Sequence, residues 1–77
     1  MLPQPTQTKI LRQNPTRTLR VVRATYPSGA VLVEVQRYDS QARRYVGVTE
    51  HTGANAAAHA VAFYDNCEVL RRLVAGE

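Results

Sequence analysis

Tyr38, Arg43 and Tyr45 lie close together around a short polar turn, with Glu34 and Gln36 just upstream. Tyrosine rings stack on nucleobases, and arginine forks hold phosphates or guanine edges. Further cations precede them: Lys9, Arg12 and Arg17 near the start of the chain, then Arg20 and Arg23. These eight residues (Lys9, Arg12, Arg17, Arg20, Arg23, Tyr38, Arg43 and Tyr45) form the candidate nucleic-acid-binding set. Nine of the ten basic residues are arginine, the side chain best suited to bidentate contact with phosphate or carboxylate.

Other chemistries find less support. No glycine-rich phosphate loop or nucleophile elbow occurs, nor a closely spaced carboxylate pair. Glu50, His51, His59, Asp65 and Cys67 are the residues able to ligate a metal, but their spacing is too wide for a zinc motif. Cys67 is expected to be a small buried hydrophobe and His59 a residue at the edge of the core. A non-enzymatic protein without metal or cofactor is expected.

The 77 residues carry a net charge of +4, distributed unevenly. Residues 1–44 hold eight bases and two acids, residues 45–77 two bases and four acids. The first half can therefore attract a polyanion, either nucleic acid or an acidic protein surface. A single cysteine excludes an internal disulfide. No stretch reads as a secretory signal or approaches the ~20 apolar residues of a membrane helix. A soluble, cytoplasmic protein with no membrane partner is expected.

The elements that must position these side chains follow from periodicity. Residues 1–17, with Pro3, Pro5 and Pro15, read as a flexible basic arm, although Thr8–Arg12 could add a short edge strand. Residues 18–77 read as one domain. Thr18–Tyr26, Ala30–Tyr38 and Arg43–Thr49 are rich in valine and tyrosine and alternate in polarity, as strands do. Pro27-Ser28-Gly29 and Asp39-Ser40-Gln41-Ala42 are the turns between them. Pairing Tyr38 with Arg43 places Val31, Val33, Val35, Val46 and Val48 on one buried face and Arg37 opposite Arg44. Strand one stays ambiguous. A four-residue first turn buries Val22, Ala24 and Tyr26, whereas a three-residue turn with a glycine bulge buries Leu19, Val21 and Arg23 instead.

Ala54–Ala75 reads as a helix with a stripe of Ala56, Ala60, Phe63, Cys67, Leu70 and Val74. Val61, Asp65, Glu68 and Arg72 fall near the opposite side. Thr52 suits the N-cap, Arg71 and Arg72 the C-terminal end, and Gly76 the stop. The expected fold is thus α+β, a three-stranded antiparallel meander packed on one C-terminal helix. Under the four-residue turn, Leu19, Val21 and Leu32 form an apolar patch beside Tyr45, and burial of that patch predicts a homodimer.

The segment Tyr45-Val46-Gly47-Val48, followed by an alanine-rich helix containing Ala62-Phe63-Tyr64-Asp65, resembles the small sheet-reading DNA-binding domains of plant transcription factors. The strand–strand–strand–helix order is also similar to phage integrase arms. This resemblance implies a sheet face that enters a groove of DNA, and no contact residues are carried over from it. The leading expectation is a DNA-binding module, and the alternative is a small adaptor or inhibitor that docks on an acidic protein.

Overall fold

The computed structural model describes residues 4–74, with side chains to position 68. Its elements run β1 (Gln7–Gln13), β2 (Leu19–Thr25), β3 (Val31–Asp39), β4 (Arg44–His51) and α1 (Ala56–Val74). The sheet is antiparallel in the order β1-β2-β3-β4. The α+β class and the C-terminal helix therefore stand, but the sheet has four strands and not three. The fourth, β1, lies in residues read chiefly as a flexible arm and covers the Thr8–Arg12 stretch that was the alternative edge strand.

Strand β1 contributes little burial of its own, since every residue in it except Leu11 is exposed. It is held by pairing with β2 from Gln7↔Thr25 to Gln13↔Arg20. Pro5 and Pro15 flank the strand and do not interrupt its ladder. A bulge sets Leu11 and Arg12 against Val21 and turns Leu11 towards the core.

The β2–β3 turn resolves the facing of β2. Gly29 has φ of 88°, and the Tyr26 and Gly29 amides donate to Ala30 O and Tyr26 O at 2.9 Å each. This is the three-residue turn, with glycine in the left-handed position that side chains avoid. Val21 then pairs with Val35, and both are fully buried beneath the helix. Leu19 packs on the same cluster. The apolar patch of Leu19, Val21 and Leu32 expected beside Tyr45 does not form, because its first two members face the core.

The β3–β4 register also differs from expectation. Tyr38 pairs with Tyr45, Arg37 with Val46 and Asp39 with Arg44, so Arg37 and Arg44 are not opposite each other. A bulge between the Gln36↔Gly47 and Val35↔Thr49 pairs shifts the strand. Val48 is left 43% exposed, while Thr49 and His51 take the core side of β4 opposite Val35 and Val33. Of the predicted valine face, Val33 and Val35 are buried, Val46 is half-buried and Val31 is exposed.

Among the described side chains of α1 the buried residues are Ala56, Ala60, Tyr64 and Glu68. Phe63 and Cys67, expected at the centre of the stripe, are only half-buried. The side chains expected beyond them, Leu70, Arg71, Arg72 and Val74, lie outside the described side chains, and Gly76 lies outside the described residues. Ala56 and Ala60 let the helix axis approach the sheet closely, where three valines (Val21, Val33 and Val35) are the largest fully buried side chains. Asn55, not Thr52, occupies the N-cap place: its carbonyl accepts from the His59 amide at 3.0 Å.

Asn14 explains why Glu68 is buried on this helix. Its Oδ1 accepts from the Thr18 and Leu19 amides at 2.8 and 3.1 Å. Its Nδ2 donates to Thr18 Oγ1 at 2.8 Å and to Glu68 Oε1 at 2.9 Å. An asparagine side chain offers two donors and two acceptor sites, and here all four are used at 3% exposure. One residue thus closes the β1–β2 turn and anchors the far half of α1. Asn14→Ala should destabilise the protein by about 2–3 kcal/mol, because two turn amides and a buried carboxylate lose a partner together. Glu68→Gln, which retains the acceptor oxygen, should cost less. Urea unfolding of both variants measures the difference.

Candidate nucleic-acid interface

An antiparallel meander puts alternate turns at the same end of the sheet, so the β1–β2 and β3–β4 tips lie side by side. Each tip places an arginine in the left-handed region: Arg17 at φ 59° and Arg43 at φ 56°. In the first tip the Arg17 amide donates to Asn14 O at 3.0 Å. In the second, Asp39 Oδ1 accepts from the Gln41 and Ala42 amides at 2.9 and 3.2 Å. Those two amides hold the Asp39 carboxyl below its ordinary value, with Arg37 and Arg44 adding to the effect. The usual occupant of such a φ is glycine or asparagine. Both positions carry exposed arginine instead.

Behind the tips, on the face away from α1, a chain of polar contacts orders the candidate residues. The Arg20 guanidinium lies 3.6 Å from the centroid of the Tyr45 ring, within cation–π range. Its Nε donates to Gln36 Oε1 at 2.7 Å, and Gln36 Nε2 donates to Glu34 Oε1 at 2.6 Å. Glu34 faces Glu50 across the ladder, an unfavourable like-charge pairing, and leans instead over Gly47. A Cβ at position 47 would stand 2.8 Å from Glu34 Oε2. Here glycine makes room for a side chain, with no positive φ involved.

Tyr45 is held on several sides. Its hydroxyl donates to Arg17 O at 2.5 Å and accepts from Gln13 Nε2 at 3.3 Å. Tyr38 meets it edge-on, with centroids 5.4 Å apart at 70°. Tyr45 is therefore a support, occupied by Arg20 and tied to the first tip. Tyr38, 42% exposed, is the aromatic ring open to a ligand.

The structure divides the predicted set. Arg17, Arg20, Tyr38, Arg43 and Tyr45 come together at one end of the sheet. Arg12 lies elsewhere, in the β1 bulge, with its guanidinium on Leu11 O at 2.8 Å. It lines an apolar groove of about 580 Å³ between β1 and α1 with Ala57, Ala58, Val61, Ala62 and Asp65. Lys9 and Arg23 pair with each other on the side of the sheet that carries Val33. Arg37 and Arg44 were not in the set, yet they flank Asp39 at the second tip. The signal that could have placed them is the Asp39 turn, whose two amide bonds fix where β4 begins.

Among the metal candidates, His51 Nε2 lies 3.0 Å from Thr49 Oγ1 and its ring 6.5 Å from that of Phe63. Burial raises the Cys67 thiol above its ordinary value, with Glu68 adding to the shift, which leaves little thiolate for nucleophilic chemistry. No group of three metal-ligating side chains occurs among the described residues. No helix among the described residues is long and apolar enough to cross a membrane. No family model, curated protein or solved structure matches the chain.

Two outcomes follow from the tips. Arg43→Gly should stabilise the fold by about 0.5–1 kcal/mol, since glycine relieves the left-handed strain and gives back part of that gain as unfolded-state entropy. Thermal and urea unfolding test this. Asp39 has a folded pKa below its ordinary 3.8, so its contribution is complete above the unfolded value and lost as pH falls through the folded one. The stability gap between the parent protein and Asp39→Ala should therefore narrow as pH falls through and below the ordinary 3.8, as read by urea unfolding at each pH.

Proposed function

We propose that the protein is a nucleic-acid-binding module that holds a phosphate backbone along the arginine rim of its two adjacent hairpin tips. The observation that carries this reading is the pair of exposed arginines, Arg17 and Arg43, at left-handed positions where glycine would be the relaxed choice. Strain kept at a surface position where a smaller residue would relieve it points to a role for the side chain itself. Arg37 and Arg44 extend the positive rim, and Asp39 is the carboxylate set between them.

The chemistry of the rim suits sequence-tolerant contact. Guanidinium groups at the tips hold phosphates, and the exposed Tyr38 ring offers a surface on which one base can stack. Arg20 and Tyr45 act behind them, the first stacked on the second, so they orient Tyr38 and the first tip. DNA is the favoured ligand, and the balance of single over double strand rests on Tyr38. Docking on an acidic protein surface would use the same cations but would not require an aromatic platform.

Fluorescence anisotropy with labelled single- and double-stranded oligonucleotides tests the reading. About four phosphate contacts imply a loss of roughly a hundredfold in affinity between about 50 and 200 mM salt. The double variant Arg17→Gly/Arg43→Gly should fold at least as stably as the parent, yet lower the salt slope by about two. Tyr38→Ala should weaken single-strand binding by about 1–3 kcal/mol. Absence of binding at low salt, or unchanged binding by the double variant, would overturn the proposal. Capture of an acidic protein that survives nuclease would move the function to protein docking.

A further inference from the structure

A second positive site lies apart from the rim, at the other end of the sheet, towards the start of β1 and on the face that carries Val33. The β1–β2 register sets Lys9 directly across from Arg23 and Gln7 across from Thr25. These four side chains line a polar cleft of about 160 Å³. Lys9, Arg23 and Gln7 are exposed and Thr25 is half-buried.

Like charges directly opposite on a ladder are unfavourable, and among the described residues no carboxylate is paired with either cation on this face. The acids nearest in register, Glu34 and Glu50, pair with Val22 and with each other, on the open face of the sheet. Beyond Arg23 the same row continues through Val33 to His51, and His51 Nε2 lies 3.0 Å from Thr49 Oγ1. The Thr25 carbonyl is already taken, accepting from the Thr6 amide at 2.7 Å and from Thr6 Oγ1 at 3.0 Å. The Thr25 hydroxyl and the Gln7 amide are left as donors flanking two fixed positive charges.

We infer that Gln7, Lys9, Arg23 and Thr25 form a binding site for a tetrahedral oxyanion of the phosphate class. The guanidinium of Arg23 supplies two parallel donors, Lys9 a compact charge opposite, and the neutral pair closes the end of the cleft. The cleft has room for the anion with part of its hydration shell. An anion between Lys9 and Arg23 turns their repulsion into two attractive contacts, and it fastens β1 to β2 where the edge strand has little burial to hold it. The site does not rest on the reading of the hairpin tips, because it shares no residue with them.

The shared chemistry is phosphate, supplied either as the free ion or by a nucleic-acid backbone. Titration of the full-length protein with inorganic phosphate, followed by two-dimensional amide NMR at constant ionic strength, tests the site. Saturable shifts centred on residues 7–9 and 23–25, absent with chloride, are the expected result. Arg23→Gln should raise the apparent dissociation constant about tenfold, whereas Arg17→Gly/Arg43→Gly should leave it unchanged. Shifts that do not saturate, that chloride reproduces or that survive Arg23→Gln would overturn the site. A short oligothymidylate added to the phosphate-loaded protein identifies the source. Competition at the same amides assigns the cleft to a backbone phosphate, and its absence assigns it to the free ion. Failure of the tip variants in anisotropy, with the phosphate titration intact, would overturn only the rim.

Discussion

The side chain of Asn14 joins parts of the protein that would otherwise touch only weakly. The edge strand β1 buries little, and α1 makes its contacts chiefly with β2, β3 and β4. Through Asn14 the β1–β2 turn is closed by two accepted amide bonds and tied by a donated one to Glu68 on the helix. A buried amide with all its hydrogen bonds made is neutral or favourable, whereas a partly satisfied one is costly. The same side chain that closes the tip carrying Arg17 also holds Glu68 of the helix. Position of the helix and conformation of the tip are thus linked through one buried side chain.

The second tip is ordered by different means. Asp39 caps its own turn through two backbone amides, a local device that operates without the helix. The two tips are then coupled across the open face, because the Tyr45 hydroxyl on β4 reaches the backbone of Arg17. Arg20, stacked on Tyr45 and bonded to Gln36, fills the space between them. Gln36 also draws Glu34 away from Glu50 and over Gly47. The result is a polar layer on one side of the sheet and a valine-and-alanine layer on the other, with β2 and β3 shared by both.

The apolar layer is small, and its economy depends on close approach. Ala56 and Ala60 bring the helix backbone onto Val21, Val33 and Val35, where larger residues would hold it off. The two bulges serve the same end. That in β1 aims Leu11 into the core, and that in β4 moves Val48 out while Thr49 and His51 turn inward. Bulges adjust which side chains face the core without changing the order of strands.

Much of the fold was legible in the residues. The alternating valines of β2 and β3, the Pro27-Ser28-Gly29 turn and the alanine-rich helix are local signals, each with its physical cause inside a few residues. The two readings of the first turn differed by one residue of loop length, and the Tyr26–Ala30 bond with Gly29 at a φ of 88° chose between them. The candidate cations and tyrosines were likewise visible, since residue type alone shows what a side chain can bind. Strand β1 was only an alternative at Thr8–Arg12, because what holds it is main-chain pairing with β2 and not a strong pattern of its own. Burial of Glu68 was hidden for a similar reason: helical periodicity places a glutamate on the wet side unless a partner such as Asn14 waits 54 residues away. Left-handed arginines carry no compositional mark, as glycine or asparagine would. Sequence determined the elements and the charge, because these arise from neighbouring residues. Tertiary structure decided the fourth strand, the turn of the helix and the gathering of Arg17 with Arg43, because each depends on contacts between segments far apart in the chain.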